Sequence, residues 1–401
     1  MERLPLKILA GLVVGAVVAA LLGPEAMGFR WAAEPMGSIF IRLLLALVLP
    51  LAMSALVLAV TELQPGSLVG TGGRLLGLTL GLTSIAVLIG VGMVSIFRPG
   101  EGIDRATLPA GGSVTPATGD AVQAIIEIFP QNAFKAAAEG NMVSVLVFAV
   151  VVGLALRSTP TEPAQRLRDV VQGIFDVCAR GVAMVMQLAP FGVAGMAYMA
   201  VAKGGLAALA PVGVFAAVAI GALAIQVLVV YPIALVTLGR ADPVRFFAAI
   251  RPALAVAFAT ASSAATLPTT LRVAEEGLRI PKETGRFILT VGASANQNGT
   301  ALYEGVAILF ICQLYGVDLS ISQQAVVLGV SVLAGVGTAG VPAASIPVIA
   351  AVVGLFGIPP EAVGVLVGVD RLLDMCRTSV NVVGDLVIAR IVGGELPPAE
   401  A

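Results

Sequence analysis

Residues 361–392 read EAVGVLVGVDRLLDMCRTSVNVVGDLVIARIV, an apolar run of membrane-helix length with no Gly-Pro break. Asp370, Asp374, Arg377, Asn381 and Asp385 lie inside it at offsets of 0, 4, 7, 11 and 15. At about 100° per residue these side chains fall within roughly 80° of arc, so a helix here carries one polar stripe. Insertion scales charge roughly 2.5–3.5 kcal/mol for a central Asp or Arg, so four charges facing lipid would cost about 10–14 kcal/mol. The stripe must face protein, water or a ligand. One reading is a structural network in which Asp374 and Arg377, one turn apart, neutralise each other. The other is a site. An Asp beside an Arg suits a zwitterion with an extra carboxylate, the Asp holding an ammonium and the Arg forking onto the carboxylate.

Composition narrows the setting. Of 401 residues, 58% are hydrophobic and 12% charged, which excludes a soluble domain and indicates an all-α polytopic membrane protein. A net charge of −1 without a basic block argues against nucleic acid. The chain has no histidine, so haem ligation by His, His-based zinc sites and His general bases are excluded. Cys178, Cys312 and Cys376 are isolated in apolar segments and read as small core residues, not a disulfide framework.

Arg3 and Lys7 precede an apolar run from Ile8 to Leu22, read as a retained first helix with a cytoplasmic N-terminus. Further spans run over about 39–60 and 75–97, followed by a polar, Gly/Pro/Thr-rich loop at 98–120 placed outside. Apolar segments follow at about 121–156 and 170–202, joined by an Arg157–Arg168 linker placed in the cytoplasm. A sixth span covers about 206–238.

Beyond Arg240 the pattern changes. Residues 244–279 are interrupted by TASSAATLPTT, and residues 323–357 by AGVGTAGVPAASIP. Tight Gly/Ala packing accounts for either alone, whereas the pair points to inverted repeats with half-helices that expose backbone groups at mid-depth. Between them, SANQNGT at 294–300 interrupts another span, and its free carbonyls and amide oxygens suit a hard cation such as sodium.

At this point the residues resemble the glutamate transporter family, the dicarboxylate/amino acid:cation symporters. ASSAATLP (261–268), NQNGTALYEG (296–305), GTAGVPAAS (337–345) and DRLLDMCRTSVNVVGD (370–385) correspond in order to its first hairpin, broken helix, second hairpin and last helix. RLLLALVLPLAMSALV (42–57) and MQLAPFGV (186–193) fit as well. The resemblance implies eight transmembrane helices plus two re-entrant hairpins in an elevator-type homotrimer. Residues 1–74 and 98–205 would form a static scaffold, and 75–97 and 206–393 a mobile transport domain. By position, Arg377 would bind the substrate's side-chain carboxylate and Asp374 its amino group. Asn381, Thr378, Ser262 and Ser263 would bind the main-chain carboxylate, with Thr300 and the Val341 region closing over it. One sodium site would use Gly292, Asn296, Asn381 and Asp385, and a second would use carbonyls near Ser294 and the turn of Gly335, Val336 and Thr338.

The chain departs from the family at several positions. Gln297 and Asn298 replace a Met-Asp pair, so the Asp that would join Thr83 and Ser84 at a third sodium site is absent. Ala261 stands where archaeal members carry an Arg, Ala264 replaces a serine, and Ser345 replaces a glycine. Glu304 matches the Glu of members that also use protons. Its neighbours are largely apolar, which favours the neutral acid that a proton carrier needs.

These readings converge on a symporter, not an enzyme, importing aspartate or glutamate across the cell's inner (plasma) membrane. One to three sodium ions, protons, or both would drive it. A C4-dicarboxylate symporter of the same fold is the alternative, disfavoured because a bare Asp374 would repel succinate. A neutral amino acid transporter, an ion channel and a redox subunit are further rivals. The last lacks cofactor ligands, and a channel needs no Asp–Arg pair.

Overall fold

The computed structural model describes residues 4–62, 71–101, 129–138, 142–337 and 345–393, and within them every regular element is helical. The helices are α1 (Leu4–Leu22), α2 (Arg30–Glu62), α3 (Thr71–Phe97), α4 (Ala133–Ala138), α5 (Met142–Ser158), α6 (Glu162–Val185), α7 (Ala189–Gly204) and α8 (Ala210–Ile225). They continue with α9 (Tyr231–Thr237), α10 (Pro243–Thr260), α11 (Ser263–Arg272), α12 (Lys282–Ala295), α13 (Asn298–Leu314), α14 (Ile321–Gly337), α15 (Ser345–Gly354) and α16 (Gly364–Val392).

Large apolar side chains point outward along many of these helices, including Ile96, Val177 and Leu228. In water such a surface would be a liability; against lipid tails it is the stable face. Five stretches among the described residues are long and apolar enough to cross a membrane: Glu25–Leu58, Gly72–Phe97, Glu162–Gly204, Ala210–Thr237 and Pro243–Thr260. The 29-residue α16 is set apart from them by its charges. The chain is thus a helical membrane protein.

Helices α1, α2, α5, α6 and α7 pack mainly on one another. α1 and α7 come into backbone contact, because a Cβ on Gly11 or Gly15 would sit 2.2 or 2.1 Å from the carbonyl oxygens of Pro190 or Ala194. Small residues one turn apart are the usual means of close helix approach in lipid. A second group of helices gathers round α13 and α16; α13 is buried from Asn298 to Cys312 and again at Leu314. Its Asn298, Thr300 and Glu304 would be costly against lipid, so it belongs inside protein, and α3, α8, α14, α15 and α16 cover it. At its far end Arg98 pairs with Asp318 at 2.9 Å, and Gln313 Nε2 donates to the Val94 carbonyl at 3.1 Å, tying α3 to α13.

The linker expected over Arg157–Arg168 is mostly helix. Only 159–161 separate α5 from α6, since Thr161 caps α6 by accepting from Ala164 N. The first interrupted segment is the helical pair α10–α11. Ala261 closes α10 at φ 49, a left-handed conformation costing an L-residue roughly 1–2 kcal/mol. Ser262 then turns extended, and its Oγ accepts from Ala265 N at 3.2 Å to cap α11. The second segment is α14 and α15; its tip, residues 338–344 with Thr338 and Val341, lies outside the described residues.

Candidate functional site in the polar core

The stripe on α16 faces inward. Asp370, Asp374, Arg377, Asn381 and Asp385 are all buried, as are Thr378 and, on facing helices, Thr300 and Ser263. The spacing by turns lets neighbours on one helix pair. Arg377 Nε donates to Asp374 Oδ1 at 3.0 Å, and its Nη1 lies 3.4 Å from Asp370 Oδ1. Tyr303 donates its hydroxyl to Asp370 at 2.9 Å, and the Arg377 guanidinium lies 4.5 Å above the Tyr303 ring centre. Arg371 Nη1 reaches Asp374 Oδ2 at 3.2 Å. Two guanidiniums and two carboxylates therefore balance, but Arg377 Nη1 and Arg371 Nε, both buried, have no hydrogen-bond partner among the described residues. The core keeps donors in reserve.

Lower on α16 the stripe meets the broken span. Asn296 and Gln297 leave helical geometry, with ψ of 84° and 53°, so α13 starts with unsatisfied N–H groups. Asn381 supplies their cap from another helix: its Oδ1 accepts from Gly299 N at 2.7 Å and Thr300 N at 3.3 Å. Its Nδ2 donates to Thr300 Oγ1 at 3.0 Å and to Gln297 Oε1. Gly299 permits this approach, since a Cβ there would sit 2.6 Å from the Arg377 carbonyl oxygen.

Asp385 accepts from Asn296 Nδ2 at 2.8 Å, and a Cβ on Gly292 would come 2.7 Å from its Oδ1. Asn296 Oδ1 is buried here without a hydrogen-bond partner among the described residues. Asp385, Asn296 and Gly292 thus converge, with a spare oxygen of the type a hard cation takes. Asn381 has its side chain committed to the break. For the second ion site, Ser294, Gly335 and Val336 lie in the last turns of α12 and α14. Ser345 opens α15, with a buried Oγ that has no partner among the described residues.

Thr83 and Asn298 do meet, 215 positions apart, but they satisfy each other: Thr83 Oγ1 donates to Asn298 Oδ1 at 2.5 Å. Asn298 Nδ2 donates to the Tyr231 hydroxyl at 3.1 Å, which donates to the Val380 carbonyl at 3.1 Å. This run of hydrogen bonds contains no carboxylate, and Ser84, next to Thr83, is only half-buried. Glu304 is fully buried on α13, one turn beyond Thr300.

Residues 4–394 match the profile of the sodium:dicarboxylate symporter family. The chain belongs to that family. It is 31% identical to the proton/sodium-glutamate symport protein of Geobacillus stearothermophilus over 396 residues, covering 96% of this chain and 93% of the relative. It is also 31% identical to the proton/glutamate-aspartate symporter of Escherichia coli, over 96% of this chain and 91% of that one. Excitatory amino acid transporter 3 of Mus musculus is 30% identical, over 94% and 82% of the two chains. The protein is thus a symporter and not an enzyme.

Four residues of this symporter's core escaped the sequence reading as site residues: Tyr303, Tyr231, Gln297 and Arg371. Gln226 carried a signal for Tyr231. It is a lone amide in an apolar span, it opens the π-turn Gln226–Val230, and it is buried, donating to the Leu82 carbonyl at 3.4 Å. Such a turn shifts the helix register by one residue and recurs at functional sites, here just before Tyr231. Arg371 gave only a weak signal, at the stripe's edge.

Proposed function

We propose that this symporter imports aspartate or glutamate, driven by a sodium gradient, a proton gradient or both. The observation carrying this reading is Arg377, a buried guanidinium between Asp370 and Asp374 whose Nη1 lacks a hydrogen-bond partner among the described residues. A buried cation held partly by long contacts is prepared for an anionic guest, and the substrate's side-chain carboxylate fits that role. Asp374 takes the ammonium group. The main-chain carboxylate goes to Thr378 and the Ser262–Ser263 turn, with Thr300 and Val341 lining the closed site. Relatives named for glutamate or aspartate symport, 30–31% identical across 94–96% of this chain, support the substrate class.

Sodium enters as cargo at Asp385, Asn296 and Gly292, with the Asn381 backbone alongside. A second ion uses Ser294 with Gly335, Val336 and Thr338. The Thr83–Asn298 pair favours fewer than three ions, because Asn298 brings no negative charge and its Oδ1 already accepts from Thr83 Oγ1. Glu304 carries the proton. In the elevator movement α1, α2, α5, α6 and α7 stay fixed in a homotrimer in the plasma membrane while α3 and α8–α16 travel. Uptake of labelled aspartate into liposomes, with sodium and proton gradients imposed separately, tests the reading. Aspartate uptake that neither gradient stimulates would rule it out.

A further inference from the structure

Asp374 is the carboxylate assigned to the substrate's ammonium, yet both its oxygens already face cations of the protein. Arg377 Nε holds Oδ1 at 3.0 Å and Arg371 Nη1 holds Oδ2 at 3.2 Å. Asp374 is therefore not the bare carboxylate that the sequence argument against succinate assumed. Arg371 lies one turn away on the same helix with its side chain 10% exposed, and its Nε is buried without a hydrogen-bond partner among the described residues. It sits at the edge of the core, where a long side chain can swing its head away while its stem stays packed.

An ammonium needs the same oxygen. Two cations on one buried carboxylate oxygen repel each other, so the seat holds one of them at a time. Granting the acidic-substrate reading above, we infer that Arg371 is a tethered competitor for the ammonium seat on Asp374. Amino acid substrates displace it, and dicarboxylates without an amino group leave it in place. Arg371 is then a specificity-determining residue. Its pairing weakens the binding of aspartate, which must break it, and supports that of succinate, which finds Asp374 already neutralised. Discrimination between the two is a difference of affinities, and one side chain moves both terms in opposite directions.

Competition for bound labelled aspartate by unlabelled aspartate and succinate, on the purified full-length protein with sodium, tests this. In Arg371→Met and Arg371→Gln, aspartate should bind more tightly and succinate less tightly, raising the succinate-to-aspartate Kd ratio about tenfold or more. Arg371→Lys, which keeps the charge, should stay near the wild-type ratio. An unchanged ratio in the neutral variants, or a parallel loss for both ligands, overturns the inference. Structures of the wild-type protein with each ligand decide the question without mutation. Arg371 should leave Asp374 with aspartate and remain on it with succinate; Arg371 on Asp374 in both overturns the competitor role. A wild-type protein that binds neither ligand fails differently, removing the acidic-substrate reading and the inference with it.

Discussion

Replacing Arg377 by Ala separates the two roles a buried cation can have. The fold loses the contact to Asp374 at 3.0 Å, the approach to Asp370 at 3.4 Å and the cover over the Tyr303 ring. Neither carboxylate is left alone, because Asp370 keeps the Tyr303 hydroxyl at 2.9 Å and Asp374 keeps Arg371 at 3.2 Å. The structural cost should therefore lie at or below the low end of the roughly 3–5 kcal/mol seen when a buried pair is broken. Binding suffers more specifically. A substrate carboxylate with no charged partner in a desolvated site loses about 2–5 kcal/mol, or roughly 30-fold to several thousandfold in Kd. The assay is competition binding with aspartate and serine on the same preparation. Serine lacks the side-chain carboxylate and still finds Asp374, so its affinity should change by less than about tenfold and so report an intact fold. Aspartate bound at wild-type affinity by the mutant would refute the assignment of Arg377.

Glu304→Gln should abolish the response of uptake to an imposed proton gradient while leaving aspartate binding intact; an unchanged pH dependence in liposomes would leave Asp385 and the carbonyl sites as the coupling machinery. Asn381→Ala strips the cap from Gly299 N and Thr300 N, so two buried donors lose their acceptor, at about 1–3 kcal/mol each. Thermal unfolding in detergent should show a clearly lowered midpoint, and an unaltered one would mean water replaces the cap. Gly299→Ala places a Cβ 2.6 Å from a backbone oxygen that cannot swing aside. It should lower the midpoint and weaken substrate binding together, whereas wild-type values for both would show that α13 and α16 separate easily.

The polar stripe was legible because helical periodicity is local: five positions on one helix share a face whatever surrounds them. Burial of that face was legible too, since charges on lipid are too costly. The break at Asn296–Gln297 and the turn at Ala261–Ser262 could be read from short runs of Asn, Gln, Ser and Thr that weaken helix continuity. Periodicity carries no record of which distant side chain meets which. Thr83 bonds Asn298 across 215 positions, Tyr303 bonds Asp370 across 67, and Asn298 bonds Tyr231 across 67. These pairings exist because α3, α9 and α16 all pack near α13, whose neighbours only the tertiary fold selects. Arg371 is the clearest case. Its position at the stripe's edge permits either an outward or an inward rotamer, and the packed structure turns it onto Asp374.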